Sequence, residues 1–533
     1  MYVHWVQSSQ ARVFPTGNRV GLRSFSMHAA RNESLSFQAC LHRIDGQDTD
    51  KVRLAVCAQD GIETRIRLVG FVPVPHHNTD VPDSDLDCLG HIPGYVPDPL
   101  FDETQTLVAP GETVAFWVTV KVSEQCPTGT HTLSVVFTVH DEESEPLEVV
   151  LVVHQPVVQT RNDFQVTQWF YNDALLDWYG LAPFEEQYWR VLRPYIQDQS
   201  EHGQDTVYVP IFTPPTDGVK RPSQLVRVRR QGGAYTFGFQ DVKRYVDLAR
   251  ECGIRKFEWT HLFSQWGVEH PIRIYRDQGA QELLLWDPSI PATSAVYRRF
   301  LSQFMPEFQQ FLEQESLVDT SIFHVSDEPH GDAHRENYRR ARALLRDVAP
   351  WMKTMDALSE IEYGRQRITD MPIASIRVAK QFVDSGIPCY GYFCCGPRGL
   401  YPNRLMDTPL TKIRSLGWQF YRFRIRGFLH WGYNYWYKSQ TRRLIDPFTV
   451  SDALAWPAWA FGDPFLVYPG VSGPIDSVRW EIFAEGLADY ALLQTLGVDP
   501  DSEVLRVFED FSSFPKDEHW YWLARKHLLS SAE

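Results

Sequence analysis

The chain has 533 residues, 43% of them apolar and 22% charged, which excludes both a single small domain and a disordered or repetitive polymer. A formal charge of −15 opposes nucleic-acid backbones and anionic membranes, since both need clustered basic surface, so a neutral partner fits better. Aromatic residues reach 14%, with 17 tryptophans, and broad indole faces suit stacking on sugars as well as core packing.

The opening run Met1-Tyr-Val-His-Trp-Val-Gln lacks the basic start and apolar core of a secretory signal, and no apolar stretch approaches the ~20 residues that span a bilayer. A cytoplasmic protein without membrane partners is expected, with a homo-oligomer left open. From Val52 to Val158 the chain alternates as strands do, in Thr64–Val69, Val114–Val122 and Leu133–Val139, with turns such as Pro127-Thr-Gly129. This predicts a β-sandwich domain over residues 1–160. Between these strands, the proline-rich stretch from Val72 to Pro99 reads as a long loop reaching towards another domain.

After Asp163 short apolar strands alternate with amphipathic helices, the pattern of an α/β protein with a parallel sheet or barrel. The candidate strands are Phe164–Phe170, Thr206–Phe212, Lys256–Leu262, Ser321–Ser326, Met352–Ala357, Ile373–Val378, Pro388–Phe393 and Gly427–Gly432, enough for a (β/α)8 TIM barrel over residues 161–475. Val296, Phe300, Phe304, Phe308 and Leu312 recur every four residues after Thr293-Ser294 and predict a helix. Residues 225–237 read as a basic hairpin around Gly232-Gly233, inserted near the active-site rim. Trp480–Leu496 and the tail from Ser502 predict helices over 476–533 that pack on the barrel exterior.

The eight cysteines are scattered, Cys394 and Cys395 being neighbours, which suits reduced buried thiols better than a disulfide framework or a paired metal site. His76-His77 lacks a second cluster at ligand spacing, so neither a metal nor a cofactor is expected.

Asp327 and Glu328 stand where the fourth candidate strand gives way to a loop, the catalytic face of a barrel. Strict alternation would send adjacent side chains to opposite faces, so the two share a pocket only if the backbone turns there. Pro329 helps, because it donates nothing to a ladder. The competing role, capping the helix after Gly331, can be filled by Asp332. Ordinary glycosidases separate their two carboxylates, at ~5–5.5 Å for retention or ~6.5–9.5 Å for inversion. An adjacent pair suits substrate assistance instead, in which the sugar's own 2-acetamido oxygen attacks the anomeric carbon.

Several blocks of the sequence resemble glycoside hydrolase family 123 and the wider set called domain of unknown function 4091, the wider set more closely. They are Val325-Ser-Asp-Glu-Pro329, Tyr392 to Asn403, Gly427 to Trp436, Gly462 to Gly470, Ser477 to Tyr490 and, more loosely, Pro93 to Leu100. The resemblance implies a β-sandwich followed by a (β/α)8 barrel that removes terminal β-linked N-acetylgalactosamine, a 2-acetamido sugar, with retention. Asp327 would orient the acetamido group, and Glu328 would protonate the leaving oxygen and then activate water.

Among other strand-end residues, Trp431, Asn434 and Trp436 are candidates for a sugar pocket, Trp436 also being a natural core residue. Asn403 and Tyr392 are further candidates, against helix capping and core packing respectively. Trp169, Tyr208, Trp259 and Trp266 lie near earlier strand ends, where some line the pocket; Tyr208 and Trp259 are taken as binding residues. His324 reads as a hydrogen-bonded core residue, and Arg479 with Glu481 as a structural ion pair or cap. The alternatives are a glycosidase for another sugar, pairing Glu328 with Asp356 or Asp370, and a non-catalytic carbohydrate-binding protein.

Overall fold

A computed structural model describes residues 1–16 and 21–532. Strands begin at Tyr2–Ser8, well before Val52, and the sheet-rich part forms two sheets whose facing sides share one apolar core that includes Phe37, Leu54, Phe116, Val135 and Leu151. The early strands Tyr2–Ser8, Ser24–Arg31 and Glu33–Arg43 lie outside the segments singled out from the sequence, although Ser24–Ala29 and Ser34–Ala39 alternate polar and apolar residues as strands do. Thr113–Val122 is buried on both faces. Phe116, Val118 and Val120 point into the sandwich core, while Ala115 and Trp117 point into the core of the α/β part. A strand between two cores needs no polar face, hence its nearly continuous apolar run.

The expected proline-rich loop is partly strand. Gly94–Phe101 pairs antiparallel with Ile62–Val74, with a register shift between Val69 and Phe71, opposite the Pro97–Leu100 stretch. On its other side it pairs with Pro474–Ser477, so the sandwich sheet continues into the carboxyl-terminal part of the chain. Prolines are tolerated where pairing is sparse or shifted.

All eight candidate strands of the second part form, but shorter: Gln165–Gln168, Thr206–Val209, Lys256–Trp259, Ser321–Phe323, Met355–Ala357, Met371–Ser375, Tyr390–Tyr392 and Gly427–His430. Ile376–Val378, expected as strand, begins the helix Ile376–Asp384, whose first turn Ser375 caps by accepting from the Arg377 N–H. The strands make parallel sheets of five and three rather than one continuous ladder. A parallel bridge between Phe323 and Thr354 joins the sheets at one seam. At the other, side chains do the joining: Thr167 donates to the Thr206 carbonyl at 3.2 Å, and the Val166 N–H donates to Asp205 at 2.8 Å.

The helix Ala295–Gln314 follows its predicted stripe, with Ser294 capping Tyr297 and with Phe300, Phe304, Phe308 and Leu312 buried; each full burial contributes roughly 1.5–3 kcal/mol. Val296 is exposed. The hairpin Arg227–Gln231 with Ala234–Gly238 packs on this helix through Tyr235 on Phe300 and Phe237 on Phe304, and it contributes nothing to the cleft described below, contrary to the expected rim position. Val478–Thr495 lies on Leu410–Arg422, where the Gly417 and Gly486 backbones touch. Glu518–Ser531 packs against Ser24–Arg31 of the sandwich as well, and its buried Arg525 pairs with Glu33 and Asp489.

Candidate active site

A cleft opens at the carboxyl ends of the parallel strands. Its walls come from residues just past those ends: Trp169, Asp217, Gln265 with Trp266, Asp327 with Glu328, Tyr392 through Cys395, and Trp431, with Gln440, Trp459 and Asp463 added by the segment after the last strand. Strands of one direction collect their following loops at one end, which is why residues distant in sequence meet here.

Pairing of the fourth strand stops at Phe323, and Glu328 takes a φ of +46°, in the left-handed region that costs a residue with a side chain roughly 1–3 kcal/mol. This is the turn that adjacency demanded, and both carboxylates line the cleft. The helix after them starts at Gly331 with His330 at its cap and Asp332 in its first turn, so neither residue of the pair caps it. Asp327 accepts from Gln265 Nε2 at 2.9 Å, and the Asp217 N–H donates to Gln265 Oε1 at 3.0 Å. Glu328 accepts from the Tyr392 hydroxyl at 2.7 Å. Burial, then the charges of Glu328 and Asp217, pushes the Asp327 carboxyl well above the usual range.

Across the cleft, Trp431 stands edge-on to Trp459 at 4.8 Å and donates its indole N–H to Asp463 at 3.0 Å. Asp463 is also pushed well up, chiefly by burial and then by Cys395. Among the described residues the lining contains four carboxylates, of Asp217, Asp327, Glu328 and Asp463, and no Lys, Arg or His. Such a wall favours positive charge developing on a bound ring.

Beneath the floor lies a fully buried polar layer. Trp169 donates to Glu258 at 2.6 Å, and His324 sits between Glu258 at 2.6 Å and Asp356 at 3.0 Å. Burial alone would depress His324, but the two carboxylates lift it to about 10. Asp356 also accepts from the Val325 N–H, fixing the backbone that leads to Asp327. His261, His324 and Asp356 bring ligand-type atoms together, but both nitrogens of His324 already face carboxylates, leaving an imidazolium no lone pair for a metal.

Of the residues expected to bind substrate, Tyr392 and Trp431 line the cleft, and five do not. Trp259 faces outward onto Phe308, because alternation turns its neighbour Glu258 inward. Tyr208 points inward but lies in the buried layer, bonded to His261 at 2.9 Å. Asn434 clamps the Tyr171 backbone from both sides, Trp436 donates to the Val467 carbonyl in the core, and Asn403 holds the carbonyls of Cys394 and Pro397. Asp356 and Asp370, the alternative partners for Glu328, are taken up by His324 and Arg342.

Sequence reasoning missed Asp217, Gln265, Asp463 and Trp459, which sit in irregular segments with no periodic signal. Nor are the thiols uniformly buried: Cys57 is exposed, and Cys394 and Cys395 are half-buried in the cleft wall. Among the described residues no helix is long and apolar enough to cross a membrane.

The sequence pattern described as glycoside hydrolase 123, catalytic domain, matches residues 169–496. No curated protein matches the chain in sequence. In structure the chain is similar to a family 123 glycoside hydrolase from Clostridium perfringens, studied for glycolipid glycan hydrolysis, with a TM-score of 0.76, 14% identity, and coverage of 100% of this chain and 98% of that one. Weaker similarities run to a family 39 glycoside hydrolase from Bacteroides cellulosilyticus, with a TM-score of 0.33, 8% identity and coverage of 87% and 81%, and to a family 5 xyloglucanase from Bacteroides ovatus, with 0.32, 9% identity and coverage of 87% and 98%.

Proposed function

Because the chain belongs to glycoside hydrolase family 123 and is therefore a glycoside hydrolase, we propose that it is a retaining exo-β-N-acetylgalactosaminidase working by substrate assistance. The observation that carries this reading is the adjacent pair Asp327 and Glu328, turned into one cleft by the left-handed backbone at Glu328. The carboxylate of Asp327 accepts the acetamido N–H and aims the carbonyl oxygen at the anomeric carbon. As that C–O bond forms, the glycosidic bond breaks, and Glu328 gives its proton to the departing oxygen. An oxazolinium ion results, its positive charge facing the acidic wall. Glu328, now a base, takes a proton from the water that opens the ring from the same face as the departed group, and configuration is retained.

Tyr392 holds Glu328, and Trp431 offers an indole face for the sugar. The same reading takes the two parallel sheets as one closed (β/α)8 barrel, supported by the Phe323–Thr354 bridge and the side-chain bonds at the other seam. Glycolipid glycans, the substrates studied for the Clostridium enzyme, are the first natural candidates.

The test is a panel of aryl β-glycosides. The N-acetylgalactosaminide should be cleaved far faster than the matching galactoside with a free 2-hydroxyl, and Glu328→Gln should lose roughly 10²–10⁴-fold in turnover on poor leaving groups. Equal rates for the two sugars would discard substrate assistance, and wild-type turnover by the variant would discard Glu328 as the acid.

A further inference from the structure

Cys394 and Cys395 follow the strand Tyr390–Tyr392 and line the cleft beside Glu328. Their sulfurs lie 3.8 Å apart and both residues are partly exposed, whereas Cys40, Cys88, Cys126 and Cys389 are buried. The segment around them is anchored: the Cys394 N–H donates to the Gly396 carbonyl at 3.0 Å, Asn403 donates to the Cys394 carbonyl at 2.9 Å, and Arg398 donates to the Cys395 carbonyl at 2.5 Å. The two thiols differ. Hydrogen bonding from Cys394, then the Arg398 charge, brings Cys395 down to about 7, while that same bond and burial push Cys394 up. A thiol shifted towards its thiolate therefore sits beside one shifted towards its protonated form, the arrangement of an attacking and a resolving cysteine.

We propose that Cys394 and Cys395 form an oxidation-sensitive dithiol in the cleft wall, which a hydroperoxide converts to a vicinal disulfide that suppresses hydrolysis and a dithiol reductant reverses. The Cys395 sulfur attacks one peroxide oxygen; the O–O bond breaks, a sulfenic acid forms, and the other oxygen leaves protonated, as water when the oxidant is hydrogen peroxide. The Cys394 sulfur then attacks that sulfur, the S–S bond forms, the S–O bond breaks, and the second oxygen leaves as water. Two thiols lose two electrons and two protons while the peroxide is reduced.

Adjacent Cα atoms are about 3.8 Å apart across a trans peptide, whereas relaxed disulfides span about 4.4–6.8 Å. The bridge is accordingly strained and easily reduced, suited to a reversible state rather than a permanent staple. Closing it draws the sulfurs from 3.8 Å to about 2.05 Å and twists the peptide whose carbonyls Asn403 and Arg398 hold. Tyr392, two residues upstream, carries the hydroxyl that holds Glu328, so the disturbance reaches the acid directly.

The activity readout rests on the glycosidase reading, but the chemistry is read separately by mass. The full chain is treated with a small excess of hydrogen peroxide and digested. The peptide holding both residues should be lighter by two hydrogens, and activity on the best substrate of the panel should fall up to about 100-fold, the cost of a ~1 Å misplacement, returning with dithiothreitol. The exposed Cys57 reports that the oxidant has acted, and Cys57→Ser should respond like the wild type. Cys394→Ser and Cys395→Ser, each compared with its own untreated activity, should lose the reversible response. The proposal is overturned if Cys57 oxidises while no bridge forms, if the bridge forms and activity stays, or if the serine variants respond as the wild type does. Absence of turnover before any treatment would instead count against the glycosidase reading, and the mass result would still decide the bridge.

Discussion

At the residue scale, the pair Asp327 and Glu328 gains its chemistry from the difference between two environments. Asp327 is buried and shares its surroundings with two like charges, while Glu328 is half-buried and held by a phenol. Asp327 works as a carboxylate in the proposed mechanism, so its raised pKa delays the working form until higher pH and sets the acid limb of activity. Asp217→Asn removes one of the like charges and should move that limb to lower pH; a pH profile of kcat/KM reads the shift, and an unmoved limb would separate Asp217 from the proton balance of the site. The pair was legible in the sequence, because position at a strand end and adjacency are both linear properties. Its partners were not, since Gln265 and Asp217 meet Asp327 only across loops from two other strands.

At the element scale, short strands and close helices hold the cleft open. Predicted strands overran their ends by up to several residues, because the apolar run continues past the last ladder bond into residues that fold over the cleft, as Phe393 and Trp169 do. The crossing of Leu410–Arg422 with Val478–Thr495 depends on two glycines: a Cβ on Gly417 would fall 1.7 Å from the Gly486 carbonyl oxygen. Gly417→Ala should therefore cost at least the ~1–3 kcal/mol typical of overpacking and lower Tm by several degrees. Thermal unfolding followed by circular dichroism measures this, and an unchanged Tm would show that the helices can part without loss. No periodicity announced the contact, for a glycine in a helix looks the same whether it faces water or another backbone.

At the scale of the whole molecule, buried ion pairs and hydrogen bonds tie the sandwich to the α/β part. Asp98 meets Arg479, Asn78 bonds Asp407, and Arg67 reaches Asp476 and Glu481, which in turn face His202 and Asp198. Burial, then the charge of Asp198, lifts Asp476 to about 8, and His202 is raised well above its ordinary value because Asp198 and Glu481 outweigh its burial. Groups whose folded pKa is raised contribute stability that is complete below the unfolded value and lost as pH climbs through the folded one. Stability should thus decline as pH rises towards about 8 and beyond, and Asp476→Asn, which cannot titrate, should flatten the decline between pH ~4 and ~8. Urea unfolding at stepped pH tests this, and parallel curves for variant and wild type would exclude Asp476 from the linkage.

By itself the sequence determined the order of the eight parallel strands after Asp163, the stripe of Ala295–Gln314 and the position of the carboxylate pair, since period, capping and strand ends act over a few neighbouring residues. Only the tertiary structure decided which strand-end aromatics reach the cleft, that the proline-rich stretch closes the sandwich sheet against Pro474–Ser477, and that two neighbouring thiols stand in the wall. These depend on which side chains face one another after the chain has returned from hundreds of residues away, and no local pattern carries that information.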